Sequence, residues 1–174
     1  MQFQPFSVNE IVDEVLRLLR SEFIDRGISV HSELAANLPT LQGDRVELQQ
    51  VLINLLTNAC DAMADMPSDA RALTIRTGLD GNDFVSISVC DTGPGIAKGN
   101  LEQVFEAFFT SKENGVGLGL SVCRTIINAH GGKLWAEQNS DHGATFRLSL
   151  PVKALHTQRP DSARRAEVPL TPCT

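Results

Sequence analysis

Apolar residues at Val8, Ile11, Val12, Val15, Leu16, Leu18, Leu19 and Phe23 recur at helical spacing, and Ser7 stands ready as N-cap with Gly27 beyond the end. One helix over residues 8–23 is predicted. Residues 28–34 alternate as a strand does, and residues 37–42, which contain Pro39, read as a loop into the next helix. That helix opens at Asp44 with Glu47 three residues on, a capping-box pattern, and runs to about Met63 before Pro67 stops it. Residues 72–78 and 84–91 form paired strands joined by the turn residues Asp80, Gly81, Asn82 and Asp83. Residues 99–117 keep no sustained period, are rich in glycine and polar residues and hold Phe105, Phe108 and Phe109, so they read as a mobile lid. Helical spacing resumes over residues 118–129 until Gly131 and Gly132 end it, and residues 133–137 and 144–150 make a closing hairpin.

The 174 residues suit one compact domain over residues 1–152, followed by a tail at 153–174 whose prolines and scarcity of large apolar residues predict disorder. No apolar run approaches the roughly 20 residues of a membrane helix, and the first ten residues lack the layout of a secretion signal. A cytoplasmic chain without direct membrane contact is expected. Cys60, Cys90, Cys123 and Cys173 show no metal-type pairing, so reduced thiols are expected. A net charge of -6 argues against a nucleic-acid surface built on many phosphate contacts. A polyphosphate ligand therefore needs backbone amides and a metal ion.

On the second helix Gln50, Asn54, Asn58 and Asp61 are spaced four, four and three apart and share one side, while Val51, Leu52, Leu55, Ala59 and Ala62 cover the core. A solvated polar face is the ordinary reading of such a stripe. Asparagine competes for backbone hydrogen bonds and is a mediocre helix former, so the pair at i and i+4 is an odd choice for exposure alone. Neutral amide oxygens beside a carboxylate suit a magnesium ion that bridges phosphates. Asp91, Thr92, Gly93, Pro94 and Gly95 follow a strand; the segment could be a plain turn, or a carboxylate that accepts from an exocyclic amine with glycines letting backbone approach a flat base. Ile96 could pack on that base. Gly115, Gly117 and Gly119, with Leu118 and Leu120, lead into an apolar helix whose first amides can meet phosphate oxygens. No Gly-Lys-Ser follows, so this is not a Walker loop. The phenylalanines read as core or lid packing, Trp135 and Phe146 as hairpin core, and His130 as a residue of the helix C-terminus. Lys112 could reach a terminal phosphate when the lid closes, although a lone lysine is usually a solvated charge.

Taken together, residues 49–62 (QQVLINLLTNACDA), 91–95 (DTGPG), 105–112 (FEAFFTSK), 115–120 (GVGLGL) and 143–146 (GATF) resemble, in order, the N box, first glycine box, F box, second glycine box and last box of sensor histidine kinase catalytic and ATP-binding domains. That family sits in the superfamily of gyrase-type, chaperone and mismatch-repair ATPases. The resemblance spans residues 6–151. It implies a two-layer α/β sandwich, a mixed sheet of about five strands with three helices on one face and a flexible ATP lid. It further implies that Asn58 binds Mg2+, that Asp91 bonds the adenine amine with Gly93, Gly95 and Ile96 beside it, that the amides of residues 117–120 meet the phosphates of ATP, and that Thr145 supports the adenine site.

Where the ATPases of the superfamily carry a water-activating glutamate one turn before the magnesium asparagine, this chain has Asn54, which favours phosphoryl transfer over hydrolysis. Many histidine kinases place a basic residue at the position of Asp61, and Lys112 is the expected substitute for that charge. None of His31, His130, His142 or His156 has the setting of a phosphoacceptor, with an acidic residue following and a proline nearby. The expected role is transfer to a histidine on a dimerisation and phosphoacceptor domain outside this chain, with a response regulator downstream and the parent protein anchored in a membrane or not. A fragment that binds Mg-ATP as a monomer without phosphorylating itself is expected. The alternatives are an ATPase or conformational clamp of the same fold, or a protein-serine kinase.

Overall fold

The computed structural model describes residues 2–109 and 117–152. Among these described residues seven strands and four α-helices follow in the order β1 (Gln4–Phe6), α1 (Val8–Leu18), α2 (Arg20–Asp25), β2 (Ser29–Leu34), β3 (Leu41–Gly43), α3 (Arg45–Ala62), β4 (Ala72–Asp80), β5 (Phe84–Asp91), α4 (Gly119–Ala129), β6 (Lys133–Gln138) and β7 (Ala144–Pro151). The main sheet has the order β2-β4-β5-β7-β6, and all its pairings are antiparallel except β2 with β4. That parallel pair obliges a crossover, and α3 supplies it. Helices α1, α3 and α4 cover one face, so the chain is the expected two-layer α/β sandwich.

Alternation in the strands sorts residues between the layers. Leu73 and Ile75 of β4, Val85, Ile87 and Val89 of β5, and Phe146, Leu148 and Leu150 of β7 meet Val51, Leu52, Leu55 and Leu56 of α3 in a single core. The opposite face is polar: Arg76 pairs with Glu33, and Arg147 with Glu137 across β7 and β6. Trp135 lies on this outer face, half-buried, its Nε1 donating to Glu137 Oε1 at 2.8 Å. Of the two expected hairpin-core aromatics, only Phe146 is in the core, because Trp135 falls on the other parity of its strand.

Two expectations about element bounds differ from the structure. The predicted helix over residues 8–23 is broken at Leu19, where ψ rises to 4° and α2 begins after it. The segment read as a loop ends in β3, which pairs with β1 in a separate two-stranded sheet, Phe6 opposite Leu41. Strands of three residues are too short to show alternation, and their partner lies far away in sequence.

Asp44 does cap α3, its Oδ1 accepting from the amides of Val46 and Glu47. The reciprocal bond of a capping box is made differently. The Asp44 amide donates to His130 Nε2 at 2.9 Å instead of to Glu47, and His130 Nδ1 meets the Ile126 carbonyl at 2.8 Å. His130 is thus the C-cap of α4, as expected, and also a buried tie between the ends of two helices.

Candidate nucleotide-binding site

A cleft of about 660 Å3 opens between α3, the loop after β5 and the start of α4. Its lining includes Asn58, Asp61, Asp65, Asp91, Gly95, Ile96, Val104, Phe109, Gly117, Leu118, Gly119 and Leu120. The N-terminal end of α4 faces this space, so its free amides and positive dipole end are available to an anion.

Asp91 closes β5 at the cleft floor with 2% of its surface exposed. Its Oδ1 accepts from the amides of Gly93 at 2.8 Å and Ala144 at 3.3 Å, which fixes the carboxylate plane. Burial pushes its pKa up, and these two amide bonds oppose the rise. A carboxylate held this way presents Oδ2 as an acceptor to an exocyclic amine.

The glycines around Asp91 answer to close approach. A side chain on Gly93 would meet Asp91 Oδ1 and the Ala62 carbonyl; one on Gly143, which has φ of 83°, would overlap the Asp91 carbonyl oxygen. Gly95, at φ 82°, lies against Gln138, whose Oε1 accepts from the Ile96 amide at 2.6 Å and so holds the glycine loop to the end of β6. Thr92 anchors the same loop to β4: its hydroxyl donates to the Ala70 carbonyl at 2.6 Å and accepts from the Ala72 amide at 2.9 Å.

Of the α3 stripe, Asn58 and Asp61 line the cleft, and Gln50 is exposed. Asn54 is not on the cleft wall. It packs beside Gly119, and its Nδ2 donates to Cys123 Sγ at 3.5 Å. Thr145 is not on the wall either: β7 turns its side chain to the outer face, where Oγ1 donates to Asn139 Oδ1 at 2.6 Å. Asn139 Nδ2 in turn donates to the Asp91 carbonyl at 3.2 Å, so Thr145 bears on the cleft floor through one intermediate. The neighbour of the Asp91 carboxylate from β7 is the amide of Ala144.

Gly117, at φ 69°, has its carbonyl bonded to the Phe108 amide at 2.9 Å, and a side chain on it would strike the Phe108 and Phe109 backbone. The three phenylalanines divide. Phe105 is buried edge-on to Phe146 with Arg124 over its ring at 4.4 Å, Phe108 is exposed, and Phe109 lines the cleft. Lys112 and Gly115 lie outside the described residues, as do the predicted tail, Cys173 and His156. Cys60 and Cys123 are buried free thiols, their pKa pushed up to about 11 by burial, and Cys90 is half-buried and free. Residue types and spacing had no means of revealing Gln138, Asn139 or Arg26, which pairs with Asp61 Oδ1 at 2.8 Å, because each reaches the site from a distant element.

The family described as histidine kinase-, DNA gyrase B-, and HSP90-like ATPase matches residues 43–154. The chain belongs to this family. Among curated relatives, it is 37% identical over 150 residues to the sensor histidine kinase TmoS of Ectopseudomonas mendocina, covering 86% of this chain and 15% of that protein. It is 38% identical over 146 residues to the sensor protein FixL of Bradyrhizobium diazoefficiens, covering 84% of this chain and 28% of that one. The chain thus spans less than a third of either relative. Among solved structures it superposes on the catalytic domain of histidine kinase ThkA with a TM-score of 0.78 at 36% identity, over 87% of this chain and 97% of that one. A structure of ThkA in complex with the response regulator protein TrrA is similar too, with a TM-score of 0.74 at 34% identity over 86% of this chain and 42% of that one. The chain is therefore an ATP-binding catalytic domain of the sensor histidine kinase type. Among its described residues no helix is long and apolar enough to cross a membrane.

Proposed function

We propose that this domain binds Mg-ATP in the cleft and donates the γ-phosphoryl group to a histidine on a dimerisation and phosphoacceptor domain of the same kinase, from which a response regulator would be served. The observation that carries this reading is Asp91, a buried carboxylate clamped by two amides at the floor of a cleft whose far side is a helix N-terminus. Adenine would donate its amine to Asp91 and lie against Ile96. The phosphates would reach the amides of Gly117, Leu118, Gly119 and Leu120 at the opposite end, with Gly93 and Gly95 shaping the base side.

Asn58 offers a hard amide oxygen on the cleft wall, a donor that suits Mg2+. When bound, the ion would neutralise charge on the phosphate oxygens. Asn58 orients that end of the nucleotide, and Asn54, placed at the start of α4, supports the amides that receive the phosphates. In the transfer, the bond between the bridging oxygen and the γ-phosphorus breaks, leaving ADP. A nitrogen–phosphorus bond forms on the acceptor imidazole, and the ring proton leaves to solvent or base. The side chain at position 54 is an amide and cannot take a proton from water, which supports transfer over hydrolysis.

Calorimetry with ADP and magnesium tests the site. Native protein should bind, and Asp91→Ala should lose at least a hundredfold in affinity, the scale of leaving a buried donor unpaired. Equal affinity of the two proteins would remove Asp91 from the adenine site. Supplying the phosphoacceptor domain of the parent kinase should yield an acid-labile phosphoprotein; an acid-stable one would indicate serine, and brisk steady-state hydrolysis would indicate an ATPase.

A further inference from the structure

Among the described residues, the side chains lining the cleft include three carboxylates, Asp61, Asp65 and Asp91, and no lysine or arginine. That is an unfavourable wall for a ligand carrying several phosphate charges, and Asp61 stands one turn from Asn58 on α3, with Asp65 just beyond the helix end. A cation stands directly behind one of them. Arg26 Nη1 meets Asp61 Oδ1 at 2.8 Å with side-chain exposures of 36% and 27%, while its Nη2 pairs with Glu22 at 2.9 Å.

Arg26 is delivered to this place by a rigid piece of backbone. It is the C-cap of α2, followed by Gly27 at φ 60°, whose amide returns to the Ile24 carbonyl while that of Ile28 reaches Phe23. The Arg26 carbonyl accepts from Arg71 Nη1 at 2.6 Å, and the same guanidinium donates to the Met66 and Ala64 carbonyls at 2.8 and 2.9 Å. One arginine thus clamps the loop that carries Arg26 to the loop that leaves α3. Asp61 is the foremost cause that raises the pKa of Arg26, in keeping with a close pair.

We propose that Arg26 is a positioning residue for the nucleotide phosphates, acting through Asp61: its guanidinium anchors and neutralises that carboxylate so that a polyanion can occupy the cleft beside it. This rests on the Mg-ATP reading above and adds to it a residue from outside the ATP-binding motifs. Arg26 does not line the cleft, so its influence is on the charge and orientation of Asp61 rather than on the nucleotide directly. A tie that merely joined α2 to α3 would have no reason to depend on the ligand's charge.

The test is a double-mutant cycle read by calorimetry with Mg-ATP and Mg-ADP on the native chain, Arg26→Ala, Asp61→Asn and the combined variant. Arg26→Ala should weaken Mg-ATP binding on the order of tenfold and Mg-ADP binding less, because an Asp61 charge no longer countered by Arg26 repels the longer polyanion more. Adding Asp61→Asn to Arg26→Ala should recover most of that loss. No recovery in the combined variant, or equal losses for the two nucleotides, would reduce Arg26 to a structural tie and overturn the proposal. Should Arg26→Ala not melt cooperatively, Arg26→Gln keeps the packing and carries the same expectations. A native chain that binds neither nucleotide would refute the pocket itself, a result distinct from native binding with no recovery in the cycle.

Discussion

In the proposed site, Asp91 serves two opposed demands. Buried among Gly93, Ala144 and the cleft floor, its charge is disfavoured, yet an ionised carboxylate is the stronger acceptor for an amine. Because its folded pKa is raised above the unfolded value, the native state holds this proton more readily. The ionised form therefore costs stability, a cost absent below the ordinary aspartate range and fully present once the pH has risen through the raised folded value. Asp91→Asn keeps an oxygen for the amides of Gly93 and Ala144 and removes the charge. It should melt higher than native protein at neutral pH without nucleotide, with the gap closing as pH falls. Scanning calorimetry across that pH range checks this, and a variant that melts lower at neutral pH would contradict it. The same substitution should weaken ADP binding, since an amide nitrogen there faces another donor. Site and stability pull in opposite directions at one residue.

Helices α3 and α4 are joined at a point the cleft never touches. His130 accepts the Asp44 amide at the start of α3 while its other nitrogen meets the Ile126 carbonyl inside α4, so the ring carries its proton on Nδ1. Phe3 stacks on that ring at 5.2 Å between centroids, and Gly43 leaves room for it, because any side chain there would press on the imidazole. The small β1–β3 sheet, the cap of α3 and the end of α4 thus meet in one joint. Removing the ring by His130→Ala leaves the Asp44 amide without its acceptor and should cost about 1–3 kcal/mol. Urea unfolding measures the loss, and an unchanged midpoint would show that water replaces the imidazole without penalty.

For the molecule as a whole, the polar outer face of the sheet and the carboxylates around the cleft agree with the acidic balance of the chain. In the proposed reading, affinity for a nucleotide comes from amides, a divalent ion and apolar contact with the base rather than from a field of lysines. Binding linked to folding then gives a direct readout. At a hundredfold excess over Kd, Mg-ADP should stabilise the fold by about 2.7 kcal/mol, raising Tm on the order of 5–10 °C for a domain of this size. Magnesium or ADP alone should give less, and an unmoved Tm with both would exclude the cleft as their site.

The sequence by itself determined the layers and the parts of the cleft that are contiguous in the chain. Helical spacing over residues 44–63 and alternation in β4, β5 and β7 are local consequences of burying one face, and Asn58, Asp61, Asp91, Gly95, Ile96 and the 117–120 turn sit in motifs short enough to read directly. What only the tertiary structure decided is where distant elements meet. Asn54 turned toward Cys123, Thr145 faced the outer layer, Gln138 held the glycine loop and Arg26 came to rest on Asp61. The physical reason is that periodicity reports which face of an element is buried, whereas these contacts depend on the register of a sheet and the angle between helices, which packing across the whole core selects.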